Sequence, residues 1–428
     1  MITTEQLYEI YLSHPVITTD TRNCPAGSLF FALKGERFNG NRFAAKALEA
    51  GSAFAVVDEA EYATDHRYLL VEDVLKALQD LARHHRNQLS IPIIGITGTN
   101  GKTTTKELTR SILAMRYHTL ATEGNLNNHI GVPLTLLKIA PEHEMAIIEM
   151  GANHPGEIEF LCNICRPDYG LITNVGKAHL EGFGSLEGVI KTKTELYASL
   201  RATGGKVFLH AENEYLRPKA DGLETILYGN TQDAYLSGEL IGCAPFLSLA
   251  IQSGQTPLPI NTQLIGSYNL PNCLAAAAIG RYFQVSDEMI KDALENYEPA
   301  NKRSQMLKTE HNSIILDAYN ANPTSMLAAL VNFRDMTVEN KTLILGDMRE
   351  LGAESRKEHQ RILDFLQETN FEEVILVGEE FNTLAHPYNG FQTTEELKAW
   401  LRQHPVANRF ILVKGSRGIA LEGVVELL

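Results

Sequence analysis

The sequence predicts an α/β protein of three domains: a small N-terminal α/β domain over residues 1–86, a central P-loop parallel-sheet domain over 87–299, and a C-terminal Rossmann-like domain over 300–428. Three observations lead there. The chain has 428 residues, too many for a single hydrophobic core. Short apolar runs alternate with helical or loop sequence, the pattern of parallel sheets covered by helices. One of those runs, Ile93–Thr97, breaks into Gly98-Thr99-Asn100-Gly101-Lys102-Thr103-Thr104 before a helix-forming segment, which is the layout of a phosphate-binding loop.

The elements follow in chain order. Strand-like pieces at 28–33 and 53–57 flank a helical stretch at 42–50, a small α/β unit. The polar stretch 80–90, with His84-His85-Arg86-Asn87-Gln88 ahead of Pro92, reads as a helix running into a domain boundary. Strands are expected at 93–97, 145–150, 170–175 and 206–209 in a parallel sheet, whereas 225–265 reads as short strands with turns, an antiparallel addition. The chain restarts around Pro299-Ala300-Asn301-Lys302-Arg303, with strands expected at 313–317, 341–345, 373–377 and 409–413. The first turn of this last domain lacks G-x-G-x-x-G, so a dinucleotide is not indicated.

Composition narrows the function classes. A net charge of −14 argues against nonspecific nucleic-acid binding, which needs basic surface to displace counterions. An anionic ligand must then be held by local lysines, arginines and backbone N–H groups. Five cysteines, Cys24, Cys162, Cys165, Cys243 and Cys273, fit a reducing cytosol. Cys162 and Cys165 form a C-x-x-C without a second pair at zinc-ribbon spacing, and their neighbours Leu161 and Ile164 suggest a partly buried helix instead. Met1-Ile2-Thr3-Thr4-Glu5-Gln6 has no basic-then-apolar leader pattern, and no apolar run reaches membrane-spanning length. The expectation is a soluble cytoplasmic protein, with nothing demanding more than a monomer.

In the loop, Gly98 and Gly101 let backbone N–H groups converge on phosphate oxygens, Lys102 can bridge phosphates, and the Thr103 hydroxyl can ligate Mg²⁺. The strict G-x-x-x-x-G-K-[ST] pattern is not met, since Ile96 occupies the first glycine position. Glu149 ends an apolar run and is followed by Met150-Gly151-Ala152-Asn153-His154-Pro155-Gly156; a carboxylate there can hold Mg²⁺ on nucleotide phosphates. His179 follows the next strand in a glycine-rich loop, where an exposed ring is the default reading. Lys191 and Lys193 lie on a helix-like segment, where a solvated face is the default.

Together these segments resemble the Mur ligase family, ATP-dependent amide-bond-forming enzymes of peptidoglycan synthesis. The match runs over essentially the whole chain. It begins with Thr19-Asp20-Thr21-Arg22 and Ala32-Leu33-Lys34-Gly35-Glu36-Arg37-Phe38, then takes in the 98–104 loop, Gly124-Asn125-Leu126-Asn127-Asn128 and Glu149-Met150-Gly151-Ala152-Asn153. It continues through Gly266-Ser267-Tyr268-Asn269-Leu270-Pro271-Asn272, Asp317-Ala318-Tyr319-Asn320-Ala321-Asn322-Pro323, Gly346-Asp347-Met348-Arg349-Glu350-Leu351-Gly352 and Lys414-Gly415-Ser416-Arg417. The last three are similar to those of family members that add D-alanyl-D-alanine to UDP-N-acetylmuramoyl-tripeptide. The Asp-Asn-Pro-Arg stretch of relatives that add diaminopimelate is absent.

The resemblance implies a set of roles. Gly98, Thr99, Asn100, Gly101, Lys102, Thr103 and Thr104 would hold the ATP phosphates, with Thr103 and Glu149 on a first Mg²⁺. His179 and a carbamylated Lys193 would hold a second, Lys193 being preferred to Lys191 because the family pattern sets the modified lysine two residues before Glu195. Asn269 and Asn272 would face the adenine, Arg303 the phosphates and Asp317 the ribose. Thr21, Arg22 and Lys34 resemble the pocket for the UDP-sugar end, and Asn127 and Asn128 would contact the peptide-bearing substrate. Asn320, Asn322 and Lys414 would help position the incoming dipeptide. The chain departs from the family at Asn41, where histidine is frequent, and at His129, which replaces a frequent glutamate. The implied reaction passes through an acyl phosphate, with hinges near 86–91 and 299–303 letting the third domain close over ATP.

Overall fold

The computed structural model describes residues 1–300, 302–369 and 371–428; Asn301, inside the expected restart of the chain, lies outside them. The described residues form three main sheets, of four, nine and six strands, and a two-stranded hairpin.

The first sheet is parallel throughout, in the order Ile17–Thr18, Leu29–Phe31, Phe54–Val57 and Tyr68–Leu70. Its middle strands are buried on both sides, as continuous apolar sequence under two helical layers requires. Helix Val74–Gln88 follows, started by the Asp73 side chain accepting from Lys76 N, and it runs past the expected boundary at 86. Its last turn is fastened to the central domain. The buried Arg86 donates from Nε to Cys165 O at 2.9 Å and from Nη2 to Arg166 O at 2.9 Å and Asp168 Oδ2 at 3.0 Å. The same Asp168 oxygen accepts from Ile93 N at 2.8 Å. The first and central domains accordingly share one apolar cluster, from Leu7 and Leu78 to Ile148 and Leu200.

In the central sheet, Ile93–Thr97 lies between Met145–Glu149 and Tyr169–Ile172, all parallel; the first two appear within one residue of expectation, while the strand expected at 170–175 starts one residue earlier and ends at Ile172. Lys206–His210 and Glu224–Gly229 extend it in parallel. The antiparallel addition is present, but its strands are longer than the sequence suggested: Leu236–Cys243, Phe246–Ser253 and Thr256–Ile265. The last of these contains Pro257 and Pro259, which it tolerates because it is the sheet's edge strand. Helix Lys102–Leu113 buries Leu108, Ile112 and Leu113 completely, each worth about 2 kcal/mol. They pack on Leu270–Tyr282, whose Ala275-Ala276-Ala277-Ala278 run lets the two helices approach closely.

The third sheet runs Gln305–Lys308, Ser313–Asp317, Phe410–Lys414, Lys341–Gly346, Glu373–Val377 and Asn389–Phe391. The four predicted strands are parallel; Gln305–Lys308 adds an antiparallel edge, and Asn389–Phe391 a short parallel one that the sequence did not signal. No described helix is long and apolar enough to cross a membrane.

Candidate active site

The chain leaves Ile93–Thr97 first toward one side of the central sheet and later, from Met145–Glu149, toward the other. Open sheets take ligands off the carboxyl ends of their strands at such a reversal. A cavity of about 540 Å³ opens there, with the carboxyl ends of the third sheet's strands forming its other wall.

The loop after Ile93–Thr97 is shaped by two glycines. Gly98 has φ +144° and Gly101 +79°; a Cβ at Gly98 would sit 2.1 Å from Thr173 Oγ1, and one at Gly101 2.6 Å from Asn272 Oδ1. Neither site admits a side chain. Thr173 Oγ1 donates to Asn100 O at 2.6 Å, and Asn100 N donates to Asn174 Oδ1 at 3.0 Å, so the next strand's end holds the loop open. Lys102 donates to Gly98 O at 2.6 Å and Thr99 O at 3.0 Å, folding over the loop it follows. Burial lowers its ammonium to about 8, against the pull of the Glu149 carboxylate.

Glu149 is buried at the end of its strand. Its Oε1 accepts from Asn127 Nδ2 at 2.8 Å and Thr103 Oγ1 at 3.3 Å, while Oε2 is buried without a partner. An unpartnered buried carboxylate oxygen is costly, and a divalent cation satisfies it. The hydroxyl and carboxylate are hard oxygen donors that fit Mg²⁺. Among the described residues no three His, Cys, Asp or Glu side chains converge on one point. That suits an ion held by one or two protein ligands plus substrate phosphates.

Lys193 is only 2% exposed, whereas Lys191 faces solvent. Its amine donates to Ala152 O at 3.3 Å and sits 5.4 Å from the Phe183 ring, which also packs near-perpendicular to the His179 ring. Burial first, and the charge of Lys102 second, hold this amine well below the usual lysine range. Lys193 does not line the cavity; His179 does, with its Nδ1 2.5 Å from Glu350 Oε2 of the third domain.

Asn269 and Asn272 line the cavity, and their amides also brace the loop. Asn272 Nδ2 donates to Asn269 Oδ1 at 2.9 Å, and Asn272 Oδ1 accepts from Thr105 at 3.1 Å. From the third domain, Arg303 stacks on Tyr319 at 4.0 Å with its Nε buried and unpartnered, a donor without an acceptor. Lys414, 1% exposed, donates to Asp317 Oδ2 at 2.5 Å across neighbouring strand ends. Asn322 caps helix Pro323–Asp335 and donates from Nδ2 to Asn100 Oδ1 at 2.8 Å. Asn128, whose Oδ1 accepts from Gly131 N, and Asn320, whose Oδ1 accepts from Ala321 N, complete the lining from the predicted set.

Thr103 and Thr104 also line a small adjoining pocket with Asn269 and Arg303. Thr21, Arg22 and Lys34 are not in the cavity. They sit on the first domain, with Arg22 exposed and paired to Asp20, and Lys34 paired to Asp58 and Glu59 at 2.9 Å each. Asn41, buried, donates to Asp58 Oδ1 at 2.8 Å and so steadies the partner of Lys34. His129 lines the main cavity. Cys162 and Cys165 are buried with their sulfurs on Met150 Sδ, at 3.9 and 3.7 Å, and burial pushes the Cys162 thiol up to about 12.

Sequence reasoning gave no role to Lys177, Glu350 or Glu358. Lys177 donates to the buried Glu358 at 2.6 Å, and Glu350 meets His179, so two central-domain residues of one loop are held by the third domain. The available signal was position, since the 346–352 stretch follows a core strand.

Three family models match the chain: the Mur ligase family catalytic domain over 15–86, the Mur ligase middle domain over 96–280, and the Mur ligase glutamate ligase domain over 302–417. A protein named "UDP-N-acetylmuramoyl-tripeptide--D-alanyl-D-alanine ligase" from Escherichia coli (strain K12) is 35% identical over 96% of this chain and 93% of its own length. One of the same name from Bacillus subtilis (strain 168) is 34% identical over 98% and 94%. Among solved structures, MurF from Acinetobacter baumannii has a TM-score of 0.86 at 32% identity, covering 96% of this chain and 92% of that one.

Proposed function

The chain belongs to the Mur ligase family, and from that premise we propose how its site works. It is an ATP-dependent ligase that joins D-alanyl-D-alanine to UDP-N-acetylmuramoyl-tripeptide, releasing ADP and phosphate, in peptidoglycan synthesis. The observation that carries the site is the pairing, across one cavity, of the Lys102 loop and the half-satisfied Glu149 with the Lys414–Asp317 pair of the third domain.

A carboxylate is a poor acyl donor, so the γ-phosphoryl group of ATP is first transferred to the tripeptide carboxylate. Lys102 and the loop N–H groups offset the charge crowding as one anion attacks another, the main demand of phosphoryl transfer. Nucleotide phosphates draw Lys102 away from the Gly98 and Thr99 carbonyls and favour its charged form. Thr103 and Glu149 would hold Mg²⁺, which when bound would neutralise charge on the phosphate oxygens. The unpartnered Arg303 Nε finds its acceptor on the phosphates, and Asp317 with Lys414 orients the ribose and the incoming amine. The amine attacks the acyl carbon, the tetrahedral intermediate collapses, and phosphate leaves. Water would destroy the acyl phosphate, so closure of the third domain over the cavity protects it.

Three further assignments belong to this reading. Burial lowers the Lys193 amine and so favours its lone pair, which would add to CO₂ with loss of a proton to solvent to give a carbamate; with His179 it would supply donors for a second Mg²⁺. Thr21, Arg22 and Lys34 take the UDP-sugar end, and their distance from the cavity suits a substrate whose reacting carboxylate is at its other end. The domains are 1–86, 87–299 and 300–428, acting in the cytoplasm, where all five cysteines remain free thiols.

The test is ADP and phosphate release with Mg²⁺ and the tripeptide substrate, with and without D-alanyl-D-alanine, and the product mass. Equimolar ADP and a UDP-muramoyl-pentapeptide are expected. ATP turnover with another carboxylate–amine pair and none with these two would move the activity to a different ligase of the same architecture. The carbamate is checked by ¹³C NMR after exchange with labelled bicarbonate, the signal vanishing in Lys193→Ala.

A further inference from the structure

The phosphate loop meets the third domain through Asn100, which lies between Gly98 and Gly101 and two residues before Lys102. Its backbone is fixed by the central domain: the N–H donates to Asn174 Oδ1 at 3.0 Å, and the carbonyl accepts from Thr173 Oγ1 at 2.6 Å and Asn174 Nδ2 at 2.9 Å. The side chain is held from elsewhere, its Oδ1 accepting from Asn322 Nδ2 at 2.8 Å across 222 residues of chain. Asn322 is 6% exposed, and the two ends of its amide point opposite ways. Its Oδ1 accepts from Ser325 N at 2.9 Å while its backbone N–H donates to Ser325 Oγ at 3.1 Å, the capping box that starts helix Pro323–Asp335. With the oxygen turned to the helix, the NH₂ end faces the loop, so the cap itself sets the direction of the bond between domains. The reciprocal approach, Asn100 Nδ2 to Asn322 Oδ1 at 3.5 Å, is too long to add much. The fit around the pair is close. A Cβ on Gly176 would come 2.9 Å from Thr324 Oγ1 in the first turn of that helix, and Gly176 N donates to Thr99 Oγ1 at 3.1 Å. The helix start therefore seats on the same segment that braces the phosphate loop.

We infer that Asn322 is a positioning residue for the phosphate loop: it ties the start of the third domain's helix to Asn100 and so sets the loop N–H groups toward the nucleotide phosphates when that domain is seated. Family resemblance assigns this residue to the incoming dipeptide, but its oxygen and an N–H of its amide are already engaged, one in the cap and the other on the loop. A single neutral hydrogen bond of this kind is worth about three- to tenfold in an equilibrium. The consequence for ligation rests on the ligase reading, while the loop's dependence on Asn322 does not.

The experiment compares the full chain with Asn322→Ser, Asn100→Ala and the double variant. Serine caps a helix about as well as asparagine but has no amide N–H to reach Asn100, so the helix is kept and the bond is lost. Each single variant is expected to weaken ADP binding about three- to tenfold by calorimetry, and the double variant no more than the weaker single one, because both remove the same bond. KM for D-alanyl-D-alanine is expected to stay within about twofold of wild type. Hydrogen exchange in the nucleotide-free protein reads the coupling without catalysis. Asn322→Ser is expected to speed exchange of the 98–104 segment about three- to tenfold, and Asn100→Ala to speed exchange at Ser325, in the other domain, by a similar factor. Additive losses of ADP affinity, or loop exchange unchanged in Asn322→Ser, would overturn the inference. A raised KM for the dipeptide with unchanged ADP affinity would overturn it as well, returning Asn322 to the dipeptide. Should Asn322→Ser unfold, Asn100→Ala decides, since unchanged exchange at Ser325 contradicts the coupling from the loop's side. If the coupling is present but wild type makes no pentapeptide, the positioning stands and the substrate reading fails.

Discussion

Strand Ile93–Thr97 of the central sheet and strand Phe410–Lys414 of the third both end at the same cavity, yet they end differently. The first runs into two glycines at positive φ and a helix N-terminus, a phosphate cradle made mostly of backbone. The second ends in a buried lysine paired with a neighbouring strand's aspartate, and the domain around it supplies single side chains, Arg303, Asn322 and Glu350, across the gap. The contrast teaches a division of labour that the proposed function uses: the central domain supplies the backbone cradle for the phosphates, and the third supplies single side chains that complete the site, with Lys414 serving the ligation step.

The largest effect expected is from Lys102→Ala, which should cut ligation by about 10³-fold and weaken ADP binding as well, measured by product formation and calorimetry. Nucleotide affinity left intact would break the comparison at its central side. Glu149→Gln should cost about 10²-fold and raise the Mg²⁺ concentration for half-maximal rate; an unchanged Mg²⁺ profile would remove Glu149 from the metal.

A pH series sharpens the same side. Lys102 is held at about 8 in the free protein and nucleotide phosphates favour its charged form. In Mg²⁺-free buffer, ADP affinity should therefore be full below pH 8 and fall above it, by at most about tenfold per unit. Lys102→Arg should flatten that fall. The smallest effect concerns the C-x-x-C: with its thiol pushed up to about 12, Cys162 should stay unalkylated by iodoacetamide at pH 8 in the native protein and react after unfolding, as read by peptide mass.

What could be read from the sequence follows the same division. The phosphate loop is a local pattern, so Gly98, Gly101 and Lys102 were recognisable within a dozen residues, and continuous apolar runs located the parallel strands. The antiparallel edge was expected as short strands with turns, whereas its strands are long and its last one carries Pro257 and Pro259, which an edge position tolerates. Lys193 looked like one more lysine on a solvated helix, because its burial depends on Phe183 and Ala152 from other segments. Glu350 sat in a recognised motif, but only domain packing brings its carboxylate beside His179. Thr21, Arg22 and Lys34 carry no local chemical signal and came from resemblance alone.

The central claim is tested most directly by Lys414→Ala, with ADP dissociation constant and pentapeptide formation measured on one preparation whose melting curve shows it folded. The account predicts ligation reduced by about 100-fold or more with ADP affinity within about threefold of wild type. Equal loss of both would contradict it, since Lys414 would then serve nucleotide binding and not the ligation step that follows it.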